Sequence, residues 1–169
     1  VWEGPSVLTG APIVVLASAR TANRKIGAMV QIWILTQERP VEAVRHGRDD
    51  AICGDCKFRG TPDGEGHTLG RTCYVEWFRA PENIHQVYRS GRTERMTPET
   101  FARRVGRMQI RIGAYGDPVA VPMDVWLPML TTVDGWTAYT HQWRRPEAAR
   151  YRQFCMASVD TEAEQAQAA

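Results

Sequence analysis

The chain has 169 residues, of which 43% are hydrophobic and 24% charged, with a formal net charge of +2. That length supports a single domain with a substantial core, and the composition is that of an ordinary globular protein rather than a disordered or fibrous one. The charge is too small to mark a nucleic-acid binder by itself. No run reaches membrane-spanning length and no basic-then-apolar leader opens the chain, so the cytoplasm is the expected compartment and no membrane partner is expected.

The predicted elements run as follows in chain order. Trp2-Glu3-Gly4-Pro5 reads as a turn, and Ile13-Val14-Val15-Leu16-Ala17 as a short buried strand. A polar loop over residues 21–27 precedes Met29 to Leu35, a β-rich run that predicts a second strand. Pro40 opens a brief helix closed by Gly47, because proline suits the first helical position. Residues 48–72 hold five glycines, one proline and two cysteines without apolar periodicity, which predicts a long loop needing something to tie it down. Tyr74 to Phe78 is apolar and fits strand or helix. Helices are expected over Pro81 to Ser90, from Thr97 to Val105 with a hydroxyl cap, and over Pro122 to Thr132. Strands are expected over Gln109 to Gly113, Trp136 to His141 and Phe154 to Val159, and the Ala/Glu/Gln-rich tail favours helix. Strands alternating with helices predict an α/β fold with a mostly parallel sheet, flanking helices and a cysteine-anchored long loop, in one domain over 1–169.

The most specific chemical signal is the placement of four cysteines at 53, 56, 73 and 155. A Cys-x-x-Cys turn sets two sulfurs close enough to share one metal, and Cys73 can return to it across the glycine-rich loop. A disulfide framework is disfavoured by the sparse cysteines and the expected compartment. A redox pair of the thioredoxin kind is disfavoured because the motif precedes a loop rather than opening a helix. Zinc and an iron–sulfur cluster both use thiolates, so the residues leave that choice open. Cys155, flanked by Phe154 and Met156, reads equally as a buried structural thiol or as a fourth ligand. His67, inside the loop, is an alternative imidazole ligand or an exposed loop histidine.

Strand ends in a parallel sheet collect functional groups, and two segments stand there. Gly116-Asp117-Pro118 follows one strand and Tyr139-Thr140-His141 closes another. Asp117, His141 and Tyr139 are therefore the candidate catalytic residues, with Gly116 and Asp117 as candidate cofactor contacts. Tyr139 and His141 fall two residues apart and so on one face of a strand.

With these pieces in place, the chain resembles a family carried by bacteriophages and related mobile elements. The shared features are Asn23-x-Lys25-x-Gly27, Cys53-x-x-Cys56, Cys73-Tyr74, Gly116-Asp117-Pro118, Tyr139-Thr140-His141 and Met156-Ala157-Ser158-Val159-Asp160. That family is in turn similar to radical S-adenosylmethionine proteins, in which a three-cysteine loop holds a [4Fe–4S] cluster ahead of a strand ending in a Gly-Gly-Glu-Pro turn. The resemblance implies a partial barrel of that type, a cluster on Cys53, Cys56 and Cys73, and S-adenosylmethionine near Gly116 and Asp117. The cysteine spacing differs from that of the radical enzymes, and Asp117 stands where they carry glutamate. A small-molecule ligand is the partner implied by this reading. The competing expectation is a zinc-stabilised interaction module of a phage, closed by a fourth ligand and binding a host protein or nucleic acid.

Overall fold

A computed structural model describes residues 2–18 and 27–169. Its frame is a six-stranded open sheet in the order β1-β2-β3-β6-β7-β8, with β1 and β8 at the edges. β1 (Trp2–Pro5), β2 (Pro12–Ser18) and β3 (Val30–Thr36) pair antiparallel. From β3 onward every neighbour is parallel, through β6 (Gln109–Tyr115), β7 (Gly135–Thr140) and β8 (Met156–Ala157). The mostly parallel α/β class is therefore present, joined to an antiparallel N-terminal edge. β3 shows why sequence placed it well: Val30, Ile32, Ile34 and Leu35 are all essentially fully buried, as a strand covered on both faces requires.

The helices between these strands follow their capping signals. α1 (Pro40–Arg45) begins on proline, and α4 (Pro98–Val105) has Pro98 behind an N-cap Thr97 whose hydroxyl accepts from the Thr100 amide. α3 (Ala80–Arg89) and α5 (Met123–Leu130) complete the large helices, and α6 (Glu162–Ala168) closes the described chain with no buried residue. Phe101, Val105, Trp126 and Met129 join Ile13, Ile32, Ile110 and Ile112 in one core. Trp126 is fully buried and its indole donates to Pro118 O at 3.0 Å, which pins the turn after β6; truncation to alanine would cost about 3–5 kcal/mol.

Four expectations are corrected. The strand expected over Phe154 to Val159 shrinks to Met156–Ala157, because the amides of Phe154 and Cys155 are taken by Tyr151 O at the end of a 3-10 helix. Trp2–Pro5 is not a turn but the edge strand β1; its pairing with β2 supplies hydrogen bonds that the local sequence does not announce. Residues 48–72 are not structureless: they carry the one-turn helix α2 (Asp50–Cys53) and a small hairpin of β4 (Thr61–Pro62) with β5 (Thr68–Leu69). Tyr74–Phe78 forms neither strand nor helix but a bend at Tyr74–Val75 followed by a turn from Trp77. Asn23 and Lys25 lie outside the described residues. No described helix is long and apolar enough to cross a membrane.

Candidate metal centre and adjoining cleft

Asp49 organises the cysteine loop. It is 2% exposed, and its two carboxylate oxygens take Arg59 at 2.9 Å and Arg71 at 2.9 Å. Arg71 also donates to Arg59 O at 2.8 Å, and the amides of Thr72 and Cys73 donate to Phe58 O at 3.1 and 3.0 Å. These contacts fold the chain back so that Cys73 returns beside the Cys53–Cys56 turn. The loop is thus tied down by buried ion pairs of the protein itself, a device that apolar periodicity cannot reveal. Breaking such a pair by removing one partner is strongly destabilising, because the other charge is left buried.

Cys53 ends α2, and Gly54 then turns the chain with φ +52°. Cys56 N donates to Cys53 O at 3.1 Å, closing the turn. Gln142, 1% exposed, splints it from the sheet: its amide nitrogen donates to Cys53 O at 2.8 Å and its carbonyl accepts from Asp55 N at 3.2 Å. A Cβ on Gly54 would lie 2.3 Å from Gln142 Oε1, so only glycine fits beneath the splint.

Cys53, Cys56 and Cys73 line one cavity of about 100 Å³ together with the ends of β6 and β7. Arg111, Gly113, Tyr115, Gly116 and Asp117 come from β6 and its turn, Tyr139 and His141 from the end of β7. This is the carboxyl edge of the parallel strands, where the sequence placed the site. The three sulfurs do not all lie within 4.8 Å of one another. A single zinc with Zn–S of about 2.3 Å would need them roughly 3.8 Å apart. Burial pushes the Cys53 thiol well above its ordinary value, with Asp49 and Cys56 adding to the rise and Arg71 opposing it. Burial also raises Cys56, while the nearby backbone of Phe58 and Arg59 pulls it the other way. Three soft sulfur donors on one cavity wall form a donor set suited to a thiolate-bound metal.

Cys155 is not brought to this cavity. It is 7% exposed, lines a separate cavity with Trp143, Ala148 and Arg152, and burial holds its thiol far above the ordinary range. His67 is also elsewhere: its side chain is 77% exposed, against Asp63 in the β4–β5 turn. Asp63, Glu65 and His67 do bring their ligand atoms within 4.8 Å of one another, but all three are exposed.

Asp117 is the hub between the cysteine turn and the sheet. Its amide donates to Ile52 O at 2.6 Å, one residue before Cys53. Its carboxylate accepts from Val119 N at 3.0 Å, Thr140 Oγ1 at 2.7 Å and His141 N at 2.8 Å. Burial pushes the carboxyl up to about 6, while hydrogen bonds from Val119, Thr140, His141 and Gln142 pull the other way. Gly116 is required by close approach: at φ +82° its Cβ would meet Ile34 O at 2.6 Å. A second positive-φ glycine, Gly113, accompanies a register shift opposite Ile32 and Trp33, so β6 bulges as it reaches the cavity. His141 stacks edge-on against Phe58 at 5.5 Å between ring centroids, and burial lowers its pKa, favouring the neutral imidazole. Tyr139, 55% exposed, stands at the rim opposite Tyr74, whose hydroxyl accepts from Arg111 at 2.8 Å.

The structure therefore unites Cys53, Cys56, Cys73, Gly116, Asp117, Tyr139 and His141, and separates Cys155. Asp49, Arg71 and Gln142 carry positioning work that no local motif announces, and Thr140, the middle residue of the Tyr139–His141 segment, holds Asp117 at 2.7 Å. Compared with known proteins, the chain matches no family model, no curated protein and no solved structure.

Proposed function

We propose that Cys53, Cys56 and Cys73 hold an iron–sulfur cluster with one position open to the cavity, and that the cleft along β6 and β7 binds a small polar ligand beside it. The observation that carries this reading is the grouping of three cysteines on one cavity while Cys155 lines another. A [4Fe–4S] cluster takes one thiolate per iron, so three cysteines would leave its fourth iron facing the cavity. When bound, such a cluster supplies one-electron chemistry. The chain's own residues would do the rest. Asp117 fixes the turn that carries Gly116, His141 offers a neutral imidazole, and Tyr139 and Arg111 border the entrance. The parallel run of β3, β6, β7 and β8 in chain order is compatible with part of a radical S-adenosylmethionine-like barrel, and S-adenosylmethionine is the ligand that resemblance suggests.

Protein purified without oxygen tests the centre by visible absorption and by iron and zinc analysis. Colour with iron near stoichiometry supports the cluster, and absence of both metals removes the centre. Calorimetry with S-adenosylmethionine on the loaded protein then tests the ligand, and silence there removes the enzyme reading alone.

One observation favours a second reading. His141 lines the same cavity as the three cysteines, so a zinc site of three thiolates and one imidazole would draw on His141 rather than Cys155 or His67. Such a closed centre would be structural, in an interaction module that binds a host protein or nucleic acid. Colourless protein with one zinc, retained in Cys155→Ala and lost in His141→Ala, is its signature.

A further inference from the structure

The ion pairs behind the cysteine cavity are unbalanced. Asp49 carries one negative charge and holds two guanidiniums, Arg59 and Arg71, so the buried group retains one net positive charge. The side chains are 3%, 20% and 9% exposed respectively, so solvent does little to screen that charge. Arg71 is the poorly satisfied member. Its Nη1 meets Asp49 and Arg59 O, its Nη2 reaches Tyr115 Oη only at 3.5 Å, and its Nε is buried without a hydrogen-bond partner. A buried cation with an idle donor costs folding free energy unless a negative group sits nearby.

The negative group available is the centre itself. Zinc(II) with three thiolates carries one net negative charge, and so does a [4Fe–4S] core of charge +2 with three thiolates. Arg71 stands two residues before Cys73, and Asp49, which grips it, also accepts at its backbone carbonyl from Cys53 N at 2.9 Å, so the charge is held beside the cysteines. Resting on the three-cysteine reading above, we infer that Arg71, anchored by Asp49 and seconded by Arg59, is the built-in counter-charge of the loaded centre. It does not line the cavity, so it acts on the centre through its field and not by touching a ligand. The same charge serves zinc and a cluster, because the net charge to be balanced is the same.

The test uses whichever metal the purified wild type retains, zinc or iron, challenged with a chelator in graded concentration. Arg71→Gln is expected to lower metal retention roughly 10–100-fold, the range typical of partners that support metal ligands, with Arg71→Lys recovering most of it. Arg59→Gln should lower retention less, and Arg59→Lys should restore it. Melting of the metal-free proteins is followed in parallel, because a merely structural role would weaken the Gln and Lys variants alike. For an iron-loaded protein the midpoint potential should move negative in Arg71→Gln and return in Arg71→Lys. Should Arg71→Gln fail to fold, the more exposed Arg59 pair decides. Metal retention and potential that do not sort by charge overturn the inference and leave the centre standing. A wild type that retains neither metal removes both.

Discussion

The side-chain amide of Gln142 donates to the carbonyl of Cys53 at 2.8 Å across 89 residues of sequence. With Asp117 N on Ile52 O, this bond locks the cysteine turn to the carboxyl ends of β6 and β7. The cavity exists because these two attachments are made together.

Removing the splint should loosen the turn. Gln142→Ala leaves Cys53 O and Asp55 N without their side-chain partner, a loss of about 1–3 kcal/mol for buried polar groups. Thermal unfolding should shift down by several degrees, and limited proteolysis within residues 48–73 should accelerate. Gly54→Ala should be worse, since it adds strain at φ +52° to a collision with Gln142. An unchanged melt in both variants would show that the turn holds itself.

Asp117 sets a pH dependence of opposite sign to that of most carboxylates. Its folded pKa, about 6, lies above the unfolded value near 4, so the folded state binds the extra proton between them. Stability from this group is therefore lost as pH rises from about 4 to about 6, by roughly 3 kcal/mol in all. Asp117→Asn should erase that slope while losing the His141 amide contact. Denaturant unfolding of both proteins from pH 4 to 7.5 gives the difference curve, and a flat one contradicts the assignment.

On the proposed centre, Cys56→Ser should release the metal and lower the melting temperature of the loaded protein, because a metal bound only by the folded state stabilises it by mass action. The metal-free proteins should differ less, since Asp49 with Arg59 and Arg71 orders the loop independently. Equal metal content in wild type and Cys56→Ser would remove Cys56 from the ligand set.

Cys155→Ala should leave metal content unchanged, because that thiol lines a different cavity. Native protein treated with a thiol alkylator near neutral pH should leave Cys155 unmodified until unfolded, since burial keeps it protonated. Metal loss in Cys155→Ala would return it to the ligand set.

Much was written locally. Helix caps at Thr97 and Pro98, the continuous apolar run of β3 and the strands from Gln109 and from Trp136 follow from propensity and periodicity acting over a few residues, though β6 runs on to Tyr115, past the Gly113 at which the sequence would end it. Those signals determined the α/β class, the mostly parallel order and the sheet edge at which Gly116, Asp117, Tyr139 and His141 gather. The Cys-x-x-Cys turn was legible for the same reason. What only the tertiary structure decided was long-range pairing. Cys155, left open by the sequence, lines another cavity, and what holds Cys73 beside the turn is Asp49 gripping Arg59 and Arg71, with Gln142 reaching Cys53. Each is a buried polar contact between residues far apart in sequence, whose free energy depends on desolvation and geometry that no local pattern encodes. The same blindness turned Trp2–Pro5 into a supposed turn, because an edge strand is fixed by its neighbour's hydrogen bonds and not by its own residues.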